Sequence, residues 1–600
     1  MRLIILLILS IFFACNKAKV SKLDIQKASV YLNHHDSVAY VGKETCKKCH
    51  LEIYNSFMET GMGQSFDVAT KNKSMLDEND NLLIYDQDKN LYYQPFWKND
   101  SLYISEFRLN DKDTIHKLEK KIDYIIGSGQ HTNSHLFSIN GYLHQVPYTF
   151  YTQDEKADLP PGYENGNNSR FSRKIGMECI SCHNAYPNYI EGSINKYHSL
   201  PSGIDCERCH GPGELHVQRK LAGEFIDTSK YIDYSIVNPG KLNKELQFDI
   251  CSRCHLQGIS ILKNGKKWND FKPGEKLNLT MDIFLSKHEN NEDFIMASHV
   301  DRLKQSSCFT QGDLTCISCH DPHKSVSKTS SNFFNNKCNS CHSTCKTNTT
   351  KNVDCISCHM PKSSSIDIPH VTITDHKISV HKDKKDSKGI FKGLICVNNN
   401  NPTNLSKAKA YIEYYENSTE NGQFYTQSLD TALKYLNKCN LEESFITYIH
   451  YFYTRKEFKK LIKHFENNFQ QNFEKKFTLE NIGWTYFRLA ESYFQFGLNN
   501  KAYSYYKKSI HTSPKNIDFL LKTAALEMKI NKHLLAEERL LKIIKLYPNS
   551  KQAHFNLGSL YLNKNNFEES QKYFKKAKRL DPDYQLAIKS LEYLKSINEK

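Results

Sequence analysis

The sequence predicts a mainly α chain in two unequal parts: a loop-rich region of short helices with a small β-meander, then an α-solenoid. Two periodicities predict it. Seven times between residues 46 and 359, two cysteines separated by two residues are followed at once by histidine, among frequent Gly, Asn, Asp and Pro breaks. Beyond residue 405 the composition turns to helix formers, and Pro514, Pro548 and Pro582 recur every 34 residues.

Along the chain, Leu3 to Ala14 is apolar apart from Ser10 and follows Arg2. That run is too short to span a bilayer and has the length of a signal-peptide core. Phe12, Phe13 and Ala14 lead into Cys15 as residues lead into the acylated cysteine of a bacterial lipoprotein. Residues 1–15 are therefore expected to be a lipoprotein signal peptide with Cys15 as the lipidation site; ordinary cleavage, with Cys15 a bystander, is the alternative. An acylated cysteine holds a chain on a membrane without any spanning helix. Residues 16–37 read as a polar tether.

Residues 38–385 carry the seven motifs: Cys46/Cys49/His50, Cys179/Cys182/His183, Cys206/Cys209/His210, Cys251/Cys254/His255, Cys316/Cys319/His320, Cys338/Cys341/His342 and Cys355/Cys358/His359. Each reads as a c-type haem attachment site. The two sulfurs add to the two vinyl groups on one porphyrin edge, and the adjacent histidine lies beneath the iron as proximal ligand. Zinc knuckles and redox dithiols share the cysteine spacing but do not require the histidine. With 26 histidines in 600 residues, a random residue is histidine roughly 4% of the time, so seven in seven is not chance. Haem is attached to cysteine outside the bacterial cytoplasm, in agreement with export. Seven haems are expected to form the core of this region, and their fourteen propionates nearly cancel the formal charge of +15. No basic run is long enough to argue for nucleic acid.

Between the first and second motifs, at about residues 80–152, the pattern changes. Leu82 to Leu109 alternates apolar and polar residues around turn clusters at Asp86–Asn90 and Lys98–Ser101, and Gly141 to Tyr151 reads as a further strand. These strands are expected to pack over the first haem, the alternative being that they shape a docking or substrate surface. The charged run Lys382–Lys392 marks a linker, set at 386–404. Residues 405–600 read as tetratricopeptide repeats, clearest at 483–516, 517–550 and 551–584. Leu557, Gly558, Tyr561, Phe574, Ala577 and Pro582 fall at the packing positions of the last repeat; the middle one has Glu527 where an aromatic is usual. Ala587 to Ile597 supplies a capping helix. The solenoid is expected to dock a redox partner protein, the alternative being an array that only stabilises or spaces the rest.

A second axial ligand turns each haem into an electron carrier, whereas an open position admits substrate. His216 follows the third motif in Cys-His-Gly-Pro-Gly-Glu-Leu-His, and His323 the fifth in Cys-His-Asp-Pro-His. His370 and His376, in Pro-His-Val-Thr-Ile-Thr-Asp-His, follow the last motif. With His299, His131 and His135 they form the candidate distal set; Met62 is a further candidate thioether. Cys308, Cys345, Cys396 and Cys439 belong to no motif, and a Cys308–Cys345 disulfide is one option in an oxidising compartment.

The runs Tyr40-Val-Gly-Lys-Glu-Thr-Cys-Lys-Lys-Cys-His, Tyr124-Ile-Ile-Gly-Ser-Gly, Cys206-Glu-Arg-Cys-His-Gly-Pro-Gly, Leu314-Thr-Cys-Ile-Ser-Cys-His-Asp-Pro-His and Asp354-Cys-Ile-Ser-Cys-His-Met-Pro resemble bacterial multihaem proteins related to the cytochrome c-554 family, here joined to tetratricopeptide repeats. The resemblance implies closely stacked haem pairs and largely bis-histidine ligation. No Cys-x-x-Cys-Lys is present, which argues against a pentahaem nitrite reductase.

The expectation for function is an exported, periplasm-facing lipoprotein that transfers electrons through seven haems, with membrane contact through its lipid and a partner protein at its repeats. The alternative is an oxidoreductase acting on a small nitrogen or sulfur compound at one open haem, with His131, His135, His144 and Lys120 as proton donors.

Overall fold

A computed structural model of the chain describes residues 30–289, 294–342, 354–380, 390–420, 425–469 and 473–598. The expected signal peptide with Cys15, and Cys345 with its disulfide option, lie outside the described residues. The architecture is mixed: short helices and small antiparallel sheets up to residue 396, then paired helices. Among the described residues no helix is long and apolar enough to cross a membrane.

The segment expected to be tether is packed from residue 31 onward. Leu32–His34 forms a 3-10 turn in which fully buried Asn33 donates from Nδ2 to the carbonyls of His210 (3.2 Å) and Pro212 (3.1 Å). His34 gives Nε2–H to the Pro273 carbonyl at 2.8 Å. Both side chains are polar and so read as tether, yet each satisfies carbonyls that would otherwise be buried without donors.

The β-region is larger than the sequence suggests. Ile84–Asp86, Leu91–Lys98, Ser101–Asn110 and Asp113–Lys121 form a four-stranded meander in sequential order. Its turns place Asn90, Asn99 and Asp111 at φ of 47°, 53° and 51°, the left-handed region that Asn and Asp tolerate. A five-stranded sheet runs Phe66–Val68, Tyr124–Ile126, Thr132–Ile139, Tyr142–Tyr151, Lys156–Asp158. Alternation finds a strand with one wet face. Tyr142–Tyr151 is buried at every position, because its second face is covered as well.

Much of that cover comes from the repeats. The turn after each of three repeats meets this region: Tyr142 Oη donates to the Lys515 carbonyl (2.8 Å), Asn140 Nδ2 to those of Lys545 and Leu546 (3.0 Å each), and Arg170 Nη1 to that of Leu580 (3.0 Å). Side chains add Lys174–Asp518 at 2.6 Å, Arg108–Asp583 through two bonds of 2.7 and 2.8 Å, and the His144 ring stacked on Tyr547 at 4.8 Å. Helix C-termini carry partial negative charge, so cationic and N–H donors suit them. The strands thus receive the edge of the solenoid that carries Pro514, Pro548 and Pro582.

The expected linker also holds structure. Phe391–Cys396 pairs antiparallel with Met281–His288, which pairs in turn with Ile259–Leu262. The helix Asn404–Glu420 lies against this sheet, with Tyr411 Oη accepting from Leu394 N at 3.0 Å. The charge run 382–392 hid the apolar Phe391 within it and Leu394 and Ile395 beyond it. In the repeats, Leu479–Gln495 pairs with Asn499–Thr512, Ile517–Lys529 with His533–Leu546 and Lys551–Asn563 with Phe567–Leu580, and Gln585–Asn598 ends the array. Glu527 stands in the middle repeat fully buried, its carboxylate held by Arg539 Nε (2.8 Å), Arg539 Nη2 (2.7 Å) and Tyr503 Oη (3.1 Å), so an ion pair replaces the usual aromatic.

Candidate haem-binding site

In four motifs the histidine N–H closes one helical turn onto the first cysteine carbonyl: His50 on Cys46, His210 on Cys206, His320 on Cys316 and His342 on Cys338, each at 3.0 Å. One turn therefore carries both thiols and the imidazole, as attachment to one porphyrin edge requires. Cys251–His255 ends the helix Lys244–His255, and Cys355–His359 is a helix of its own. The second motif is wound more tightly, with His183 N donating to the Ile180 carbonyl at 3.0 Å.

The motifs gather out of sequence order. Thiols of different motifs lie beside one another: Cys46 and Cys206, Cys182 and Cys254, Cys251 and Cys316, and Cys338 and Cys355. Motif one thus lies beside three, two beside four, four beside five and six beside seven. Residues of motifs two to seven line one cavity of about 3180 Å³, together with His131, His299, His376, Met62 and Cys308. A small-molecule site occupies roughly 300–1,000 Å³, so this space accommodates several large groups.

The first motif departs from the expectation that all seven sites share one interior. Cys49 is exposed, as is His50, and neither lines the cavity. The motif begins inside the short helix Lys43–Lys47; its Cys46 thiol lies beside Cys206, and His50 acts electrostatically on His210 and His216. Cys49 and His50 stand in a run of six exposed residues, Lys48 to Ile53. The β-region gives its far face to the solenoid, while Gly127, His131 and Gln153 from its loops line the cavity. Cys179, Cys341 and Cys358 are also exposed, but each lines the cavity, so for them exposure means access to that space.

The distal candidates separate by geometry. His323 lies parallel to His210, their ring centres 6.1 Å apart and planes 9° from parallel. His376 faces His320 at 6.2 Å and 31°. An imidazole nitrogen sits about 2 Å from a bound metal and about 1 Å from its own ring centre, so two imidazoles on opposite sides of one metal put their centres about 6 Å apart. Both pairs have that spacing. His299 lies between His255 (5.2 Å, 88°) and His376 (4.8 Å). His216 has Nδ1 3.2 Å from Ser235 Oγ and 3.3 Å from Asp233 Oδ2. His131 lines the cavity with Nδ1 accepting from Gln153 Nε2 at 3.1 Å.

The other two stand elsewhere. His135 is fully buried in its strand, stacked on Tyr148 at 4.0 Å. His370 has Nδ1 3.0 Å from Asp154 and Nε2 3.2 Å from Asp158, so both ring nitrogens already face carboxylates. Of the four residues named as proton donors, only His131 reaches the cavity: Lys120 donates to Asn549 (2.8 Å) and His144 stacks on Tyr547, both at the solenoid edge.

Hydrogen bonds fix the tautomers. A carbonyl only accepts, so His210 gives Nδ1–H to Val237 (2.7 Å), His359 to Ser379 (3.2 Å) and His376 to Thr374 (3.0 Å), leaving each Nε2 bare. Metal-binding histidines are oriented in this way. Burial, followed by the neighbouring imidazoles, pushes His299 down to about 2. Burial takes His376 down to about 4 against the opposing Thr374 bond. Both are neutral at pH 7, the state a metal needs. Among the described residues, His183 Nδ1, His299 Nδ1 and Arg253 Nε are buried without a hydrogen-bond partner, and all three residues line the cavity. Arg173 and Arg208 line it too, which suits propionates. Arg208 and Arg253 sit between the two cysteines of their motifs, a position the sequence reading did not weigh.

The donor set and spacing thus fit haem, and the comparisons with known proteins agree. A family model described as cytochrome c554 and c-prime matches residues 144–211, and a tetratricopeptide-repeat model matches 485–516 and 551–584. The multiheme cytochrome MtrA of Shewanella baltica (strain OS185) is 26% identical over 220 residues, 34% of this chain and 62% of that protein. Together these fit a multihaem cytochrome with C-terminal tetratricopeptide repeats. The chain matches less than two thirds of that relative's length. Among solved structures, YrrB, titled a TPR protein with an unusual peptide-binding site, aligns over 31% of this chain and 92% of its own at 16% identity and a TM-score of 0.25. MamA MSR-1 aligns over 27% and 88% at 18% and 0.23. The family-model match runs from the last long strand of the β-region through the third motif, the stretch that joins the solenoid edge to the cavity.

Proposed function

We propose that the chain is an exported electron-transfer protein whose seven Cys-x-x-Cys-His motifs each hold one covalent haem c, with residues 38–385 as the haem region. When bound, haem iron supplies reversible one-electron chemistry. The chain's own residues attach it, present neutral imidazoles to it and exclude water. Cys46 and Cys49 attach the first haem at the surface, and the other six motifs attach theirs around the cavity. His323 with His210 and His376 with His320 would hold iron between them, His299 would join His255, and His216, with its Nδ1 on Asp233 and Ser235, would join His50. The observation that carries this reading is the 6.1 and 6.2 Å spacing of two imidazole pairs. Adjacent motifs offer short steps between one and three, two, four and five, and six and seven. The lipid on Cys15 holds the protein at the periplasmic face of a membrane. The repeats are firmly joined to the β-region along one edge, so a redox partner takes their remaining faces.

The alternative, an oxidoreductase with one open coordination position, retains His131 as its proton donor at the cavity. Carbon monoxide binding to the reduced holoprotein distinguishes the two. Electron transfer through bis-histidine haems leaves the spectrum unchanged; one equivalent bound per chain reverses the assignment.

A further inference from the structure

The described chain begins beside an uncovered apolar surface. Leu221 and Phe225 are 81% and 89% exposed, Val30 and Tyr231 68% and 66%, with Leu32 and Tyr234 adjoining. Contacts tie the three segments that carry them: Leu32 N donates to the Tyr234 carbonyl at 2.8 Å, the Tyr31 and Tyr234 rings are 5.8 Å apart, and Lys220 Nζ at the end of Glu214–Leu221 meets Asp233 at 2.9 Å. Scattered exposed apolar residues need no explanation, but a cluster of large ones marks a contact surface.

Its charges cancel locally. Arg219 meets Glu224 at 3.6 Å, Lys220 meets Asp233 at 2.9 Å and Lys230 meets Asp227 at 3.4 Å. The surface therefore offers little to a charged partner protein. It presents aliphatic and aromatic tips in a neutral surround, the chemistry of a segment that enters the headgroup region of a bilayer. Val30 stands fifteen residues after Cys15, a chain that reaches about 50 Å at most.

We infer that Val30, Leu32, Leu221, Phe225, Tyr231 and Tyr234 form a surface that rests in the lipid bilayer to which the chain is anchored. The inference rests on the reading of Cys15 as lipidated. It also sets an orientation, because Asn33 bonds the carbonyl of His210 and His216 lies on the same helix as Leu221: the first and third motifs face the membrane. Electrons exchanged with a membrane partner then enter or leave at that end.

The test is hydrogen exchange of full-length holoprotein bound to vesicles of three parts phosphatidylethanolamine to one of phosphatidylglycerol, against the C15S holoprotein free in buffer. Uptake across 221–234 is expected to slow at least fivefold on vesicles, to stay slow in 0.5 M salt, and to return to the free rate in L221S/F225S/Y231S, while the exposed turn at Phe496–Leu498 is unaffected. Vesicle-bound protein acylated at Cys15 by mass spectrometry, with 221–234 unprotected, overturns the surface and leaves the anchor standing. Protein that is neither acylated nor vesicle-bound overturns both. Protection of 221–234 in C15S through self-association in buffer, read by sedimentation, assigns the surface to a second copy and also overturns the inference.

Discussion

Arg170→Met tests the junction of the β-region and the solenoid. Glu106 is fully buried and accepts from Arg170 Nε at 2.7 Å, from Arg170 Nη2 and from His116 Nε2 at 2.8 Å. Burial acts to raise the Glu106 carboxyl, and the bonds from Arg170 and His116 outweigh it, leaving it below the usual carboxylate range. Removing Arg170 strands that charge, at a cost of about 3–5 kcal/mol. The 3.0 Å bond to the Leu580 carbonyl and the 3.1 Å contact with Asp581 go with it, adding about 1 kcal/mol. Urea unfolding followed by far-ultraviolet circular dichroism should shift its midpoint down by about 1–3 M at a slope of ~2–3 kcal/mol/M. Adding Glu106→Leu removes the stranded charge and should recover more than half of the loss. A single variant within about 0.5 kcal/mol of wild type, or a double variant no better than the single, refutes the reasoning.

Four further outcomes follow from the geometry. His323→Ala should leave His210 without its opposite imidazole and convert one haem to a high-spin form that binds carbon monoxide, read by electron paramagnetic resonance, whereas His370→Ala should leave every spin state unchanged. His376→Ala should do the same to the haem on His320. Glu527→Ala should destabilise the repeats by about 3–5 kcal/mol in thermal unfolding by leaving Arg539 unpaired in a half-buried site. Burial holds His144 down to about 3 against 6.5, so the unfolded chain takes up a proton below pH 6.5 that the folded chain refuses. Stability present above pH 6.5 is then lost as pH falls toward 3, by up to about 4 kcal/mol, and His144→Phe should flatten that part of the slope between pH 7 and 4.

The attachment motifs were legible because covalent chemistry fixes both residue types and spacing, and the repeats because a packing period must recur. Neither rule says which motif neighbours which. That depends on long-range folding, such as Asn33 reaching His210 and Arg302 pairing with Asp375. Nor does either rule say which motif lies inside: Cys49 has the same spacing as the second cysteine of every other motif, yet it stands exposed and apart from the cavity. His370 and His376 look alike in sequence, six residues apart beyond the last motif. Only the structure shows one between Asp154 and Asp158 and the other opposite His320. The strand Phe391–Cys396 was hidden by lysines on its N-terminal side, and Tyr142–Tyr151 showed its strand but not the solenoid edge that covers its far face.

The central claim is that all seven motifs carry haem. Intact mass spectrometry of the denatured holoprotein, with pyridine haemochrome absorbance on the same sample, counts the covalent groups directly. The account predicts seven haems per chain, retained after acid–acetone extraction. A chain that loses its haem on extraction, or carries fewer than seven when fully matured, contradicts it.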